Sequence, residues 1–127
     1  MILIDTCGWI EWLIDGRLSL QFEPYFQQIE SILVPTSVQF ELYKWTVRKQ
    51  NLQAALEAVA LTEQGEVVPL TTAIALAAAD LAAEYSLSFA DSVIYATATF
   101  NNALLVTSDS HFQDLPGVEF FQKKIDG

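Results

Sequence analysis

Four acidic residues of this sequence stand where apolar runs begin or end. Asp5 closes the run Ile2-Leu3-Ile4, and Asp109 follows the apolar stretch 103–106 by way of Thr107 and Ser108. Glu41 lies in TSVQFELYKW and Asp91 in LSFADSVIYATA. Each one alone can be read as a helix cap or an Asx turn. Gathered at one place, they would form an all-oxygen pocket for Mg²⁺ or Mn²⁺, with no clustered His or Cys to favour zinc. Such ions act on phosphate esters by orienting the substrate, lowering the pKa of an attacking water and stabilising the leaving oxygen. Two unit charges about 4 Å apart, at an effective dielectric near 20, interact by roughly 4 kcal/mol, so a bare ionised cluster is under stress. Asp91→Asn is therefore expected to melt above the wild type in chelator.

Whether the acids meet depends on the elements that carry them. Ile2-Leu3-Ile4 reads as a central parallel strand. A helix capped by Asp5 or Thr6 follows it to about Asp15, closed by Gly16. Phe22, Tyr25, Phe26 and Ile29 have helical spacing and predict a second helix over 20–31. Ile32-Leu33-Val34 is a second buried strand, and Pro35-Thr36-Ser37 a turn and cap before a helix from Val38 to about Lys49. A further helix is predicted over 52–62, a third strand at Val67, Val68 and Leu70, and an Ala-rich helix over 71–85. The helix beginning beside Asp91 then leads to a fourth strand over 103–106. A fifth, over 118–121, belongs at an edge, because Glu119 interrupts it and Lys123 and Lys124 follow.

This alternation predicts a three-layer α/β/α sandwich with a mainly parallel sheet of about five strands. Ligands of such sheets bind beyond the carboxyl ends of the strands, the rim to which all four acids are assigned. Glu41 is the most informative of them. It lies in the stripe marked by Val38, Leu42 and Trp45, and a buried glutamate needs a partner. Lys44 and Arg48 could neutralise part of the cluster or stand in solvent.

A length of 127 residues suits one domain, 1–127, and no linker or repeat divides it. Although 52% of the residues are hydrophobic, no run approaches the ~20 apolar residues of a membrane span. Asp80 breaks the nearest candidate. No basic leader opens the sequence, and the single cysteine, Cys7, allows neither an internal disulfide nor a cysteine-based zinc site, so a reducing cytoplasm is expected. A formal charge of −10 argues against nonspecific binding to a phosphate backbone unless cations or a basic partner change the local sign. The first helix, with Trp9 and Trp12, is apolar on most sides. It is covered either by the sheet and a neighbouring helix or by a dimer or partner surface. His111, the only histidine, reads as a turn residue outside the site, Cys7 as a small packing residue and Asp80 as part of a solvated face.

Taken in order, ILID, TSVQFELYKW, LSFADSVIYATA and LLVTSDSHF resemble the PIN-domain family, in particular the VapC-type toxin ribonucleases. The resemblance spans nearly the whole chain. It implies that Asp5, Glu41, Asp91 and Asp109 bind one or two Mg²⁺ (or Mn²⁺) ions, with Thr6 or Thr107 orienting the carboxylates. The implied activity is an endoribonuclease using metal-activated water and leaving a 5′-phosphate and a 3′-hydroxyl. It further implies the toxin of a type II toxin–antitoxin pair, with RNA as substrate, a small antitoxin as partner and a homodimer as assembly. Some members carry another acid shortly after the last one, where this sequence has Ser110 and His111. Two other readings remain. One is an aspartyl phosphatase or phosphotransferase with Asp5 as nucleophile, although haloacid-dehalogenase chemistry needs a second acid where Cys7 stands. The other is a non-catalytic acidic module that binds a basic peptide.

Overall fold

Ile32, Leu33 and Val34 are all fully buried, although successive strand residues point to opposite faces of a sheet. Their strand must therefore be covered on both sides. It is the second strand, β2 (Ile32–Pro35), of a five-stranded parallel sheet in the order β3-β2-β1-β4-β5. The other strands are β1 (Ile2–Ile4), β3 (Glu66–Val68), β4 (Leu104–Thr107) and β5 (Val118–Phe120). Helices α1 (Thr6–Leu13), α2 (Ser19–Phe22), α3 (Thr36–Lys49), α4 (Leu52–Thr62), α5 (Thr72–Tyr85) and α6 (Phe89–Phe100) complete a three-layer α/β/α sandwich. The computed structural model describes residues 1–123. Lys124, expected to flank the edge strand, lies outside them.

The central strand is β1, with Ile2 opposite Ile32 of β2 on one side and Leu104 of β4 on the other. The chain leaves β1 towards β2, whereas β4 is added on the opposite side. The β1/β4 border is thus the switch point at which open parallel sheets bind ligands. Asp5 emerges there, and its backbone N–H donates to the Val106 carbonyl at 3.0 Å.

Several boundaries differ from the sequence expectation. Helix α1 stops at Leu13, and the left-handed residue beyond it is Asp15 (φ 54°) rather than Gly16. The helix expected over 20–31 is only the single turn α2, followed by 3₁₀ turns at Glu23–Phe26 and Ile29–Ser31. Pro24 lacks an amide proton for a continuous helix. Tertiary contacts also fix the aromatic residues: Phe26 stacks on Trp12 with ring centroids 4.0 Å apart, and Phe22 meets Phe121 edge-on at 5.2 Å. Helix α3 starts directly at Thr36, so Thr36 and Ser37 are helical rather than a turn and cap, and Glu41 lies in the second turn.

Trp9 is fully buried, edge-on to both Trp12 and Phe26, so neighbouring elements cover this face of α1. Gly8 permits that packing, since a Cβ there would come within 2.5 Å of Ile4 and 2.7 Å of Phe22. A second apolar cluster, built on Ile74, Ala78, Val93 and Ala96, joins α5 to α6. Among the described residues no single helix is long and apolar enough to cross a membrane.

Candidate metal centre

The carboxylate of Asp5 is only 5% exposed, and both of its oxygens are engaged. Oδ1 accepts the Thr6 amide at 2.7 Å, and Oδ2 accepts the Thr107 hydroxyl at 2.8 Å. The Thr6 hydroxyl in turn donates to Glu41 Oε1 at 2.8 Å. The Thr107 hydroxyl accepts the Asp109 amide at 2.9 Å. Asp109 Oδ1 accepts the His111 amide at 2.9 Å and lies 3.2 Å from His111 Nδ1, which is itself 2.9 Å from Asp91 Oδ2. A continuous line of polar contacts therefore runs Glu41–Thr6–Asp5–Thr107–Asp109–His111–Asp91. It joins all four acids singled out in the sequence, and Thr6 and Thr107 both orient carboxylates.

Local structure explains how each acid is aimed. In α6 the cap is Ser88, whose hydroxyl accepts the Asp91 amide at 3.2 Å, and this leaves the Asp91 carboxylate free to turn towards His111. Asp5 and Asp109 do cap their elements while also belonging to the cluster. Glu41 is half-buried beside fully buried Val38 and Leu42, and Thr6 is the partner its burial demanded. Lys44 is exposed and lies over the Phe40 ring, 5.9 Å from its centroid.

The electrostatics match this crowding. Burial pushes the Asp5 carboxyl up from its ordinary value of 3.8 to about 6, against the opposing pull of the Thr107 and Thr6 hydrogen bonds, and the charges of Glu41 and Asp109 raise it further. Glu41 is also raised, first by burial and then by Asp91 and Asp109, while Thr6 and Lys44 pull it down. Cys7 Sγ packs 3.7 Å from Asp5 Oδ2 and 3.5 Å from Thr107 Oγ1. Burial, and then Asp5, push its thiol up to about 11, as suits a packing residue rather than a nucleophile.

His111 requires a correction. It does lie in a turn, the 3₁₀ turn Ser110–Phe112, and is 69% exposed, but its ring also stands between Asp91 and Asp109. One ligand atom from each of the three residues falls within 4.8 Å of the others. The sequence did carry a signal, because His111 follows Asp109 where some relatives of this pattern place another acid. The pairing with Asp91, 20 positions earlier, exists only in the fold. Beside it opens a cavity of about 280 Å³, lined by Tyr85, Ser86, Leu87, Ser88, Asp91 and His111.

The family model of the PIN domain matches residues 2–118. The chain belongs to the PIN domain family. No curated protein sequence matches it, whereas solved structures do. A toxin–antitoxin complex from Klebsiella pneumoniae superposes with a TM-score of 0.80 at 22% identity, covering 97% of this chain and 100% of that one. The sarcin–ricin-loop-cleaving toxin VapC20 of Mycobacterium tuberculosis gives a TM-score of 0.70 at 17% identity over 82% of this chain and 85% of its own. DNA-bound VapBC from Salmonella typhimurium gives 0.75 at 18% identity over 96% and 98%. At these identities the likeness is one of fold. For this PIN domain the residues present fit a divalent cation: one oxygen each from Asp91 and Asp109 and one imidazole nitrogen from His111 lie within 4.8 Å of one another. Asp5 and Glu41, which stand outside that trio and are linked to it through Thr6 and Thr107, are raised by burial and by their neighbours' charge.

Proposed function

We propose that this PIN domain is a VapC-type toxin, an endoribonuclease dependent on Mg²⁺ or Mn²⁺ that acts as a single domain in the cytoplasm. The observation that carries the reading is the unbroken line of contacts joining Asp5, Glu41, Asp91 and Asp109 at the β1/β4 crevice. These four residues are the proposed ligand set. When bound there, the cation supplies charge for the phosphodiester and lowers the pKa of the attacking water.

The chain's own contribution is preorganisation. Thr6 holds Glu41, and Thr107 holds Asp5 while fixing the start of the Asp109 turn, so the carboxylates are aimed by the fold. Because ligands must be deprotonated, the raised Asp5 carboxyl makes cation binding weaken as pH falls through about 6. The formal charge of −10 leaves RNA affinity dependent on the cation and a few basic groups. It also suits a basic segment of a small antitoxin as partner, as the named toxin–antitoxin neighbours suggest. An apolar groove of about 350 Å³, lined in part by Ile10, Leu13, Ile14, Leu42, Trp45 and Leu61, supports such a partner. A homodimer is part of the proposal.

The test is RNA cleavage by the purified chain. Activity is expected with Mg²⁺ or Mn²⁺, none in chelator, and a loss of at least about 100-fold in Asp91→Asn, since removing a ligand outweighs removing its supports. Full activity in chelator would sink the proposal. A fluoroberyllate adduct on Asp5 would restore the phosphatase reading, which the burial of Asp5 and the engagement of both its oxygens disfavour. Binding of a basic peptide with no cleavage of any RNA would restore the acidic module.

A further inference from the structure

We propose that His111 is a direct ligand of the cation through Nδ1, and that this nitrogen biases the site towards Mn²⁺ over Mg²⁺; the inference rests on the metal-dependent reading above. Ligands about 2.0–2.2 Å from one ion stand roughly 3 Å apart when adjacent and up to about 4.3 Å when opposite. The ligand atoms of Asp91, Asp109 and His111 lie within 4.8 Å of one another, with Nδ1 at 2.9 and 3.2 Å from the two carboxylates. A cation entering among them needs only a small adjustment of the three side chains.

The ring is placed by the backbone rather than by chance. The His111 amide donates to Asp109 Oδ1 at 2.9 Å, the Phe112 amide donates to the Asp109 carbonyl at 3.1 Å, and the Phe112 side chain is fully buried. The turn is thus pinned on both sides of the imidazole. With the ring 69% exposed, Nε2 can carry the proton into water and leave the Nδ1 lone pair for the ion. Mg²⁺ takes oxygen ligands and dehydrates reluctantly, whereas first-row transition ions accept imidazole readily. Replacing an oxygen donor by a nitrogen therefore favours Mn²⁺.

Pulsed electron paramagnetic resonance of Mn²⁺ bound to the tag-free protein tests this directly. The chain contains one histidine, so any ¹⁴N modulation from a coordinated imidazole can come only from His111. The wild type is expected to show that modulation and His111→Gln to lose it. Titrations should show Mn²⁺ affinity falling roughly tenfold or more, at least the loss caused by removing a ligand's outer partner. Mg²⁺ affinity should change by less than about twofold. Bound Mn²⁺ without the ¹⁴N signal overturns the inference and leaves metal dependence standing. Equal weakening of both ions overturns the selectivity. A wild type that binds neither ion overturns the metal-dependent reading as well. Should His111→Gln fail to fold, the wild-type spectrum still decides.

Discussion

Replacing Asp5 by Asn should stabilise the metal-free protein, and the gain should depend on pH. In the fold the Asp5 carboxyl titrates at about 6 against an ordinary value of 3.8, so between these values the folded state holds a proton that the unfolded chain has released. For this group, stability is therefore full below about pH 3.8, falls as pH rises, and above about 6 carries the whole deficit, about 3 kcal/mol. Asparagine has the shape of the neutral acid. Its oxygen can accept the Thr6 amide, but its NH₂ must face Thr107 Oγ1, whose proton would turn towards Cys7 Sγ at 3.5 Å. That rearrangement offsets about 1 kcal/mol. A net gain of about 2 kcal/mol remains, roughly 5–10 °C in melting temperature for a domain of this size. The assay is denaturant and thermal unfolding of both proteins in chelator at pH 8 and pH 4. The expected result is a more stable Asp5→Asn at pH 8 and near equality at pH 4, with added Mn²⁺ shifting the balance back to the wild type by mass action. Equal or lower stability of the variant at pH 8, or a gain undiminished at pH 4, would refute the reasoning.

Thr107→Val removes the hydroxyl that donates to Asp5 and accepts the Asp109 amide, leaving both short of a partner. It should destabilise the protein by about 2–4 kcal/mol and move the onset of Mn²⁺ binding to higher pH, with Thr107→Ser restoring both, as read by unfolding and by metal titration against pH. Gly8→Ala would place a methyl group within 2.5 Å of Ile4 and 2.7 Å of Phe22. A loss of about 1–3 kcal/mol from overpacking is expected despite alanine's higher helix propensity, and a melting point at or above the wild type would show that α1 can shift.

Much of the fold could be read from the residues because its strands are short and apolar and its caps are local. Ile2–Ile4 and Ile32–Pro35 lie where the runs place them, and Asp5, one of the two residues assigned to cap the first helix, does so through its own side chain. Rim position was likewise readable for Asp5 and Asp109, since each immediately follows a strand or its short extension. The stretch 20–31 was misleading, because its helical spacing marks which residues face inwards, whereas Pro24, without an amide proton, interrupts the helix and Phe26 stacks on Trp12 from a 3₁₀ turn. The location of the crowding was also hidden. Burial and neighbouring charge raise Asp5 and Glu41, Asp91 being one of the charges that act on Glu41, and the His111 ring stands 2.9 Å from Asp91. That contact spans two elements far apart in sequence, and no pattern within either reports it.

The central position of β1 bears on when the molecule becomes functional. Asp5 is seated by a hydroxyl 102 positions further along the chain, and β1 gains its β4 neighbour only when residues 104–107 are available. Contacts of such long sequence separation come late, because the loop entropy must be met before the contact rewards it. During synthesis the first acid therefore emerges long before the groups that aim it, beside a half-paired strand. The carboxylates are thus brought into register only when the final third of the chain closes the sheet.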